Sequence, residues 1–203
     1  MRRSASTKYN TEIKDGYRLD VWGTLTRGWS PGPALILTGP EGLEIPLLRK
    51  LGFKDDMLHL ADKIAAHVVT ARTSNSAVDA HTYYGRLPEV FQTMSDKGVK
   101  LKYANLDMCG TAAREALENL QGISMNKHVI DGGRMAVTWL KARDGHWYED
   151  VMHSLAGTGD RLSLVDAMVR AKWPDACRIG GGEYDNGSDG NCAPMQWGVW
   201  DLA

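Results

Sequence analysis

The feature that most constrains this chain is an alternation: short apolar runs closed by glycine or aspartate, and longer stretches whose apolar residues fall at helical spacing. The run ALILTG, ending at Gly39, reads as a buried strand. Beyond the turn GPEG, Leu43, Leu47, Leu48 and Leu51 follow a helical period, with Pro46 near the helix start and Gly52 at its end. VDAHTYY reads as a strand ending at Gly85, and Leu87, Val90, Phe91 and Met94 as a helical stripe closed by Gly98. Val99, Leu101 and Tyr103 alternate toward Asp107 as a further strand. Thr111 can cap a helix whose inner face is Ala112, Ala116, Leu117 and Leu120. GRMAVTWL is a strand, Asp160 caps a helix bearing Leu162, Val165, Met168 and Val169, Gly180–Asn191 is a loop, and MQWGVWDL is the last strand. Strands alternating with helices predict an α/β fold: a mainly parallel sheet covered on both faces.

One segment stays open. In DDMLHLADKIAAHVV, Leu60, Ile64 and Val68 lie four apart, which permits one helix from about Asp56. A strand MLHLA ending at Asp62, followed by a helix through Ala71, fits equally well.

The chain has 203 residues, 43% hydrophobic and 24% charged, which suits one globular domain over 1–203, with 1–33 as an N-terminal arm packing on or extending it. Its 24 basic against 25 acidic residues give a net charge of −1, which excludes a strongly basic nucleic-acid coat but not a local patch. Such a patch is offered by residues 1–30, where Trp22 and Trp29 interleave with Lys14, Arg18 and Arg27. These form either a small stacking-and-phosphate surface for a substrate or a covered sheet edge with solvated charges. Cys109, Cys177 and Cys192 have neither disulfide-framework nor zinc spacing, and His59 and His67, eight apart, are too distant for a His-x-x-x-His metal pair. No metal site is expected. With no apolar leader and no run of about 18 apolar residues, the expectation is a cytoplasmic protein without a membrane anchor.

In a sheet of this kind, ligands bind beyond the carboxyl ends of the strands, where the strand order reverses. Gly39 and Gly42 allow a backbone to approach a ligand closely, and Asp62 can accept hydrogen bonds from a ribose diol. Asp107 in NLDMCG faces whatever reacts. Each has a plainer reading, as a turn residue or a helix cap. Tyr83 or Tyr84 flanks an adenine or simply packs. Cys109 is better read as an inert buried thiol than as a nucleophile. His146 and His153 flank a Trp147–Tyr148 loop, either a substrate lid or a loop with aromatic anchors.

Taken in order, ALILTGPEG, HLAD, TYYGRLPEVF, LKYANLDMCG and GGRMAVTWLKAR resemble the class I S-adenosylmethionine-dependent methyltransferases over residues 34–202. The tail from Arg178 to Leu202 resembles the reversed hairpin of that family. The resemblance implies a seven-stranded, mainly parallel Rossmann-like sheet with a C-terminal antiparallel hairpin, and S-adenosyl-L-methionine as cofactor. It implies cofactor contacts at Thr38, Gly39, Gly42, Glu44, Asp62, Tyr84, Gly85 and Asp107, with Asp107 and Thr111 catalytic. Arg18, Trp22, Arg27, Trp139 and His146 would meet the acceptor, for which nucleic acid is slightly favoured over a small molecule. Two departures stand out. The first loop lacks the acidic-x-Gly-x-Gly-x-Gly pattern, with Glu44 available for a related role. The Asp107–Ala112 loop is not the Asn/Asp-Pro-Pro-aromatic motif. It looks more like the Asp-x-x-Gly-Ser/Thr-Pro loop of the tRNA guanine-N2 dimethyltransferases, with Ala112 for the proline. A catalytically silent Rossmann-like module that binds a nucleotide or a partner protein is the alternative.

Overall fold

The computed structural model describes residues 12–111, 116–140, 161–184 and 194–202. Helix α1 (Glu12–Thr26) precedes β1 (Ala34–Leu37), α2 (Glu44–Lys50), β2 (Leu58–Asp62), α3 (Ala65–Ser74), β3 (His81–Tyr84) and α4 (Leu87–Asp96). Then follow β4 (Tyr103–Thr111), α5 (Leu117–Ser124), β5 (Arg134–Leu140), α6 (Arg161–Lys172), β6 (Cys177–Tyr184) and β7 (Met195–Asp201). The seven strands form one sheet in the order β3-β2-β1-β4-β5-β7-β6. The first five are parallel, and β7 runs antiparallel to both β5 and β6. Strand order reverses between β1 and β4, and it is beyond the carboxyl ends at such a reversal that sheets of this kind form their ligand crevice.

Two cores hold this sheet. On one face Phe91, Leu120, Ile123 and Val165 pack against Leu35, Leu106 and Val137. On the other, Val21, Trp22, Leu25, Leu48 and Val68 pack against Ile36, Leu60, Tyr103 and Ala136. Each fully buried side chain of this size contributes on the order of 1.5–3 kcal/mol, so the helices are held by their apolar faces.

The open segment resolves into a single 3₁₀ turn (Asp55–Met57), strand β2 and helix α3. Leu58, His59, Leu60 and Ala61 are all buried, as a strand flanked by β1 and β3 and covered on both faces requires. One helix would bury only one stripe, and Ile64, the middle member of its proposed stripe, is exposed.

Three expectations need correction. Asp107 does not end its strand: β4 runs on to Thr111, which pairs with Leu140 across a register shift after Asp107. The start of the helix that Thr111 would cap, with Ala112, lies outside the described residues. Val99 and Leu101 lie ahead of β4, where Leu101 donates its N–H to Val129 O instead of joining the ladder. The glycines at 180–182 lie inside β6, not in a loop. A Cβ on Gly182 would sit 3.1 Å from the Trp197 indole, so glycine leaves room for the large rings of β7. Asp160 lies outside the described residues.

Residues 12–26, read from sequence only as part of an arm, are helical because Tyr17, Val21, Trp22 and Leu25 fall on one buried stripe. Among the described residues no helix is long and apolar enough to cross a membrane.

Candidate functional site

Thr38, Asp62 and Tyr84 stand at the carboxyl ends of β1, β2 and β3, and Asp107 lies inside β4, two residues past its Asn105–Ile36 pair with β1. Thr38 continues β1, its N–H bonded to Ala61 O at 2.9 Å, and the chain then turns through Gly39–Leu43 into α2. Gly42 holds φ +57, and a Cβ there would lie 2.8 Å from Ala71 Cβ. Glycine is therefore required on both counts: backbone conformation and close approach to α3. Asn75 ties the turn down further by donating to Glu41 O at 3.0 Å. At Gly39, by contrast, a Cβ would meet nothing within 4 Å. The turn is anchored at one end and open at the other.

Beside this turn lies a charged cluster beneath the first half of α1. Glu44 opens α2 and is buried, and its Oε1 accepts from Arg18 Nε at 3.3 Å. Arg18 Nη1 also donates to Asp15 at 2.9 Å. Loss of hydration raises the Glu44 carboxyl above its ordinary value; Arg18 opposes the rise and Asp107 adds to it. The Asp107 carboxyl is likewise raised by loss of hydration, against the charges of Lys14 and Arg18. Tyr17 hydrogen-bonds Thr138 on β5 through the two hydroxyls. Burial first, then Asp107, pushes the Tyr17 phenol well above its usual range, so it stays neutral. Its ring stacks on Tyr184 (centroids 4.3 Å apart) and meets Trp197 edge-on at 6.4 Å.

Two side-chain oxygens here have no partner. Thr38 Oγ1 and Asn105 Oδ1 are buried and make no hydrogen bond, and each lies on a strand that borders the order reversal. A buried polar atom left unpaired costs about 1–3 kcal/mol, which a ligand's own polar groups would offset.

At the end of β2, Asp62 Oδ1 accepts from Ile64 N at 2.8 Å, and its Oδ2 stands 3.2 Å from His67 Nδ1. Gly85 follows β3 and donates its N–H to Asp62 O at 3.2 Å. Tyr84 pairs with Asp62 in the ladder and is exposed.

The crevice thus brings Thr38, Gly39, Glu44, Asp62, Tyr84, Gly85 and Asp107 to one edge of the sheet, and Arg18 reaches it from α1. The basic-aromatic surface sought near the N-terminus does not form. Trp22 is fully buried, its ring 6.0 Å from Phe53. Arg27 follows the far end of α1, where its carbonyl accepts from Arg134 Nη1 at 2.7 Å. Trp29 is already covered by Arg134, 4.1 Å from its centroid, and by Lys102 at 5.5 Å. Trp139 is fully buried and donates to Gln196 Oε1 at 3.1 Å, so it offers no face to an acceptor. His146, with the His146–His153 loop, lies outside the described residues, as do the side chains of Cys109 and Thr111. Among the described residues no group of three or more metal-ligating side chains converges.

No protein-family model and no curated protein matches the chain by sequence. Solved structures match it by shape. The N-methyltransferase NodS from Bradyrhizobium japonicum WM9, in complex with S-adenosyl-L-homocysteine, superposes at a TM-score of 0.61 with 10% identity, over 94% of this chain and 88% of that one. A SAM-dependent methyltransferase from Anabaena variabilis gives 0.57 with 16% identity, over 95% and 86%. The methyltransferase domain of bacterial CtHen1-CN gives 0.60 with 12% identity, over 93% and 99%. This chain shares its fold with these solved methyltransferases. A cofactor of that fold, S-adenosylmethionine, carries a ribose diol, a sulfonium and an amino-acid tail. The residues present fit it chemically: a carboxylate at the end of β2, carboxylates and an arginine at the β1–β4 crevice, and two unpaired buried oxygens beside them. Sequence reading missed Tyr17, for which the i, i+4, i+5, i+8 stripe from Tyr17 to Leu25 was the available signal. It offered Lys14 only as part of a basic patch and His67 only as half of a metal pair.

Proposed function

We propose that the protein catalyses S-adenosylmethionine-dependent methyl transfer to a small-molecule acceptor. The observation that carries this reading is the pair of buried, unpartnered oxygens, Thr38 Oγ1 and Asn105 Oδ1, on the two strands where the sheet order reverses. Asp62 binds the ribose hydroxyls, and Tyr84 and Gly85 border the adenine. Gly39 and Gly42 let the turn after β1 approach the cofactor, while Thr38, Glu44 and Arg18 receive the amino-acid tail. When bound, the cofactor supplies an electrophilic methyl on a sulfonium, and the protein's part is alignment and exclusion of water. Asp107 orients an acceptor N–H or O–H, and its raised carboxyl makes it a better proton acceptor than an exposed aspartate. Tyr17, held by Thr138 and stacked on Tyr184, closes this end of the sheet against solvent. Thr111, whose backbone pairs with Leu140 beyond the register shift, is the second catalytic candidate.

The small-molecule reading is favoured over nucleic acid because the aromatic groups that would stack bases are spent inside the protein: Trp22 in the core and Trp29 under its own cations. A turnover screen with methyl-labelled cofactor over pooled small amines, alcohols and thiols, with tRNA and DNA in parallel, tests the proposal. Label is expected in a small-molecule pool and to be lost in Asp107→Asn. Label in nucleic acid, falling steeply with added salt, would replace the acceptor class. Cofactor binding with no product in any pool would favour the silent module.

A further inference from the structure

Asp62 is held on three sides. Its carbonyl accepts from Gly85 N, its Oδ1 accepts from Ile64 N at 2.8 Å, and its Oδ2 faces His67 Nδ1 at 3.2 Å. An ionised carboxylate only accepts, so the imidazole donates from Nδ1. The His67 backbone is itself fixed, its N–H donating to Ile64 O at 3.0 Å within the first turn of α3. The two side chains keep 34% and 17% of their surface exposed, so the pair sits at the rim of the crevice and remains open to a ligand.

A carboxylate offers about four lone-pair positions. The chain occupies two, one on each oxygen, and leaves one on each for a vicinal diol. With the backbone of Asp62 fixed from β3, the remaining freedom is rotation of the carboxylate, a soft torsion that the Ile64 amide and the imidazole restrain together. We infer that His67 is a positioning residue for the cofactor ribose, acting through Asp62. This rests on the S-adenosylmethionine reading above and extends it to a residue that the sequence offers only as half of a failed metal pair.

Calorimetric titration of S-adenosylhomocysteine, and of its 2′,3′-dideoxy analogue, into the wild-type chain and into His67→Leu and His67→Asn tests the inference. Leucine removes the donor; asparagine places an amide N–H near the position of Nδ1. His67→Leu is expected to weaken S-adenosylhomocysteine about five- to twentyfold and His67→Asn to recover most of that loss. The dideoxy analogue should bind wild type and His67→Leu alike, because it offers Asp62 no hydroxyls. In an Asp62→Asn background, itself at least about tenfold weaker, His67→Leu should cost little more. Wild-type affinity in His67→Leu would overturn the inference while leaving the cofactor reading intact. An equal loss for the dideoxy analogue would also overturn it, by reducing His67 to a structural support of the turn. Failure of the wild-type chain to bind S-adenosylhomocysteine would remove the cofactor reading, and this inference with it.

Discussion

Burial keeps the imidazole of His59 neutral. It packs inside the sheet between His81, whose ring lies 4.7 Å away, and Tyr83, whose hydroxyl is 3.0 Å from Nδ1. Loss of hydration, helped by the charge of His81, lowers its pKa from 6.5 to about 4. The unfolded chain therefore binds a proton near 6.5 that the folded chain refuses until about 4. Stability from this group is complete above 6.5, falls as pH drops below it, and stops falling once pH passes about 4. The loss totals about 3 kcal/mol. Urea unfolding at pH 7.5, 5.5 and 4.5 should show that decline, and His59→Leu should flatten it; an unchanged slope in the variant would assign the effect elsewhere. The Arg18–Glu44 pair sets a second expectation at this scale. Both side chains are largely covered, at 13% and 6% exposure. Arg18→Met would leave Glu44 buried without its cation, so a loss of about 3 kcal/mol is expected at neutral pH. Glu44→Gln in the same chain should recover part of it. A change below about 0.5 kcal/mol would mean that the pair is not formed in solution.

At the level of elements, the turn after β1 separates two roles that its sequence presents together. Gly42 is needed by the fold: φ +57 and the Ala71 contact make Gly42→Ala cost about 1–3 kcal/mol by chemical denaturation. Gly39 faces open space without a left-handed backbone, so Gly39→Ala should leave stability within about 0.5 kcal/mol. It should nonetheless weaken S-adenosylhomocysteine about tenfold or more, because the added methyl stands where the cofactor approaches. Equal losses of stability in both variants would contradict this division. The strands were legible in sequence where both faces are buried, as in ALIL, an unbroken apolar run, and in GRMAVTWL, an apolar run interrupted only by Arg134 and Thr138. The edge of β2 was not: Leu60, Ile64 and Val68 mimic a helical stripe because a strand ends and a helix begins between them. α1 was hidden by its charges, although Tyr17, Val21, Trp22 and Leu25 already spelled its buried face. Asp62 was legible as a strand-end acid and Glu44 as a loop-end one, whereas Asp107, read as the end of its strand, lies inside β4, which runs on to Thr111. Tyr17 and His67 were not legible, because their partners, Thr138 and Asp62, matter only once the sheet is assembled.

For the molecule as a whole, the strand order β3-β2-β1-β4-β5-β7-β6 gathers the carboxyl ends of five parallel strands at one edge, and α1 brings Lys14, Tyr17 and Arg18 over two of them. The opposite edge uses its aromatics and cations on one another, Trp29 with Arg134 and Lys102, and Tyr103 with Ser30 O at 2.7 Å. The proposed function assigns the first edge to the ligand and leaves the second closed. The measurement that tests this most directly is titration of S-adenosylhomocysteine into the full chain by calorimetry, with NAD as the competing Rossmann-type ligand. Saturable one-to-one binding of S-adenosylhomocysteine, weakened at least about tenfold by Asp62→Asn and unmatched by NAD, is the predicted result. Saturable binding of NAD with no response to S-adenosylhomocysteine would contradict it.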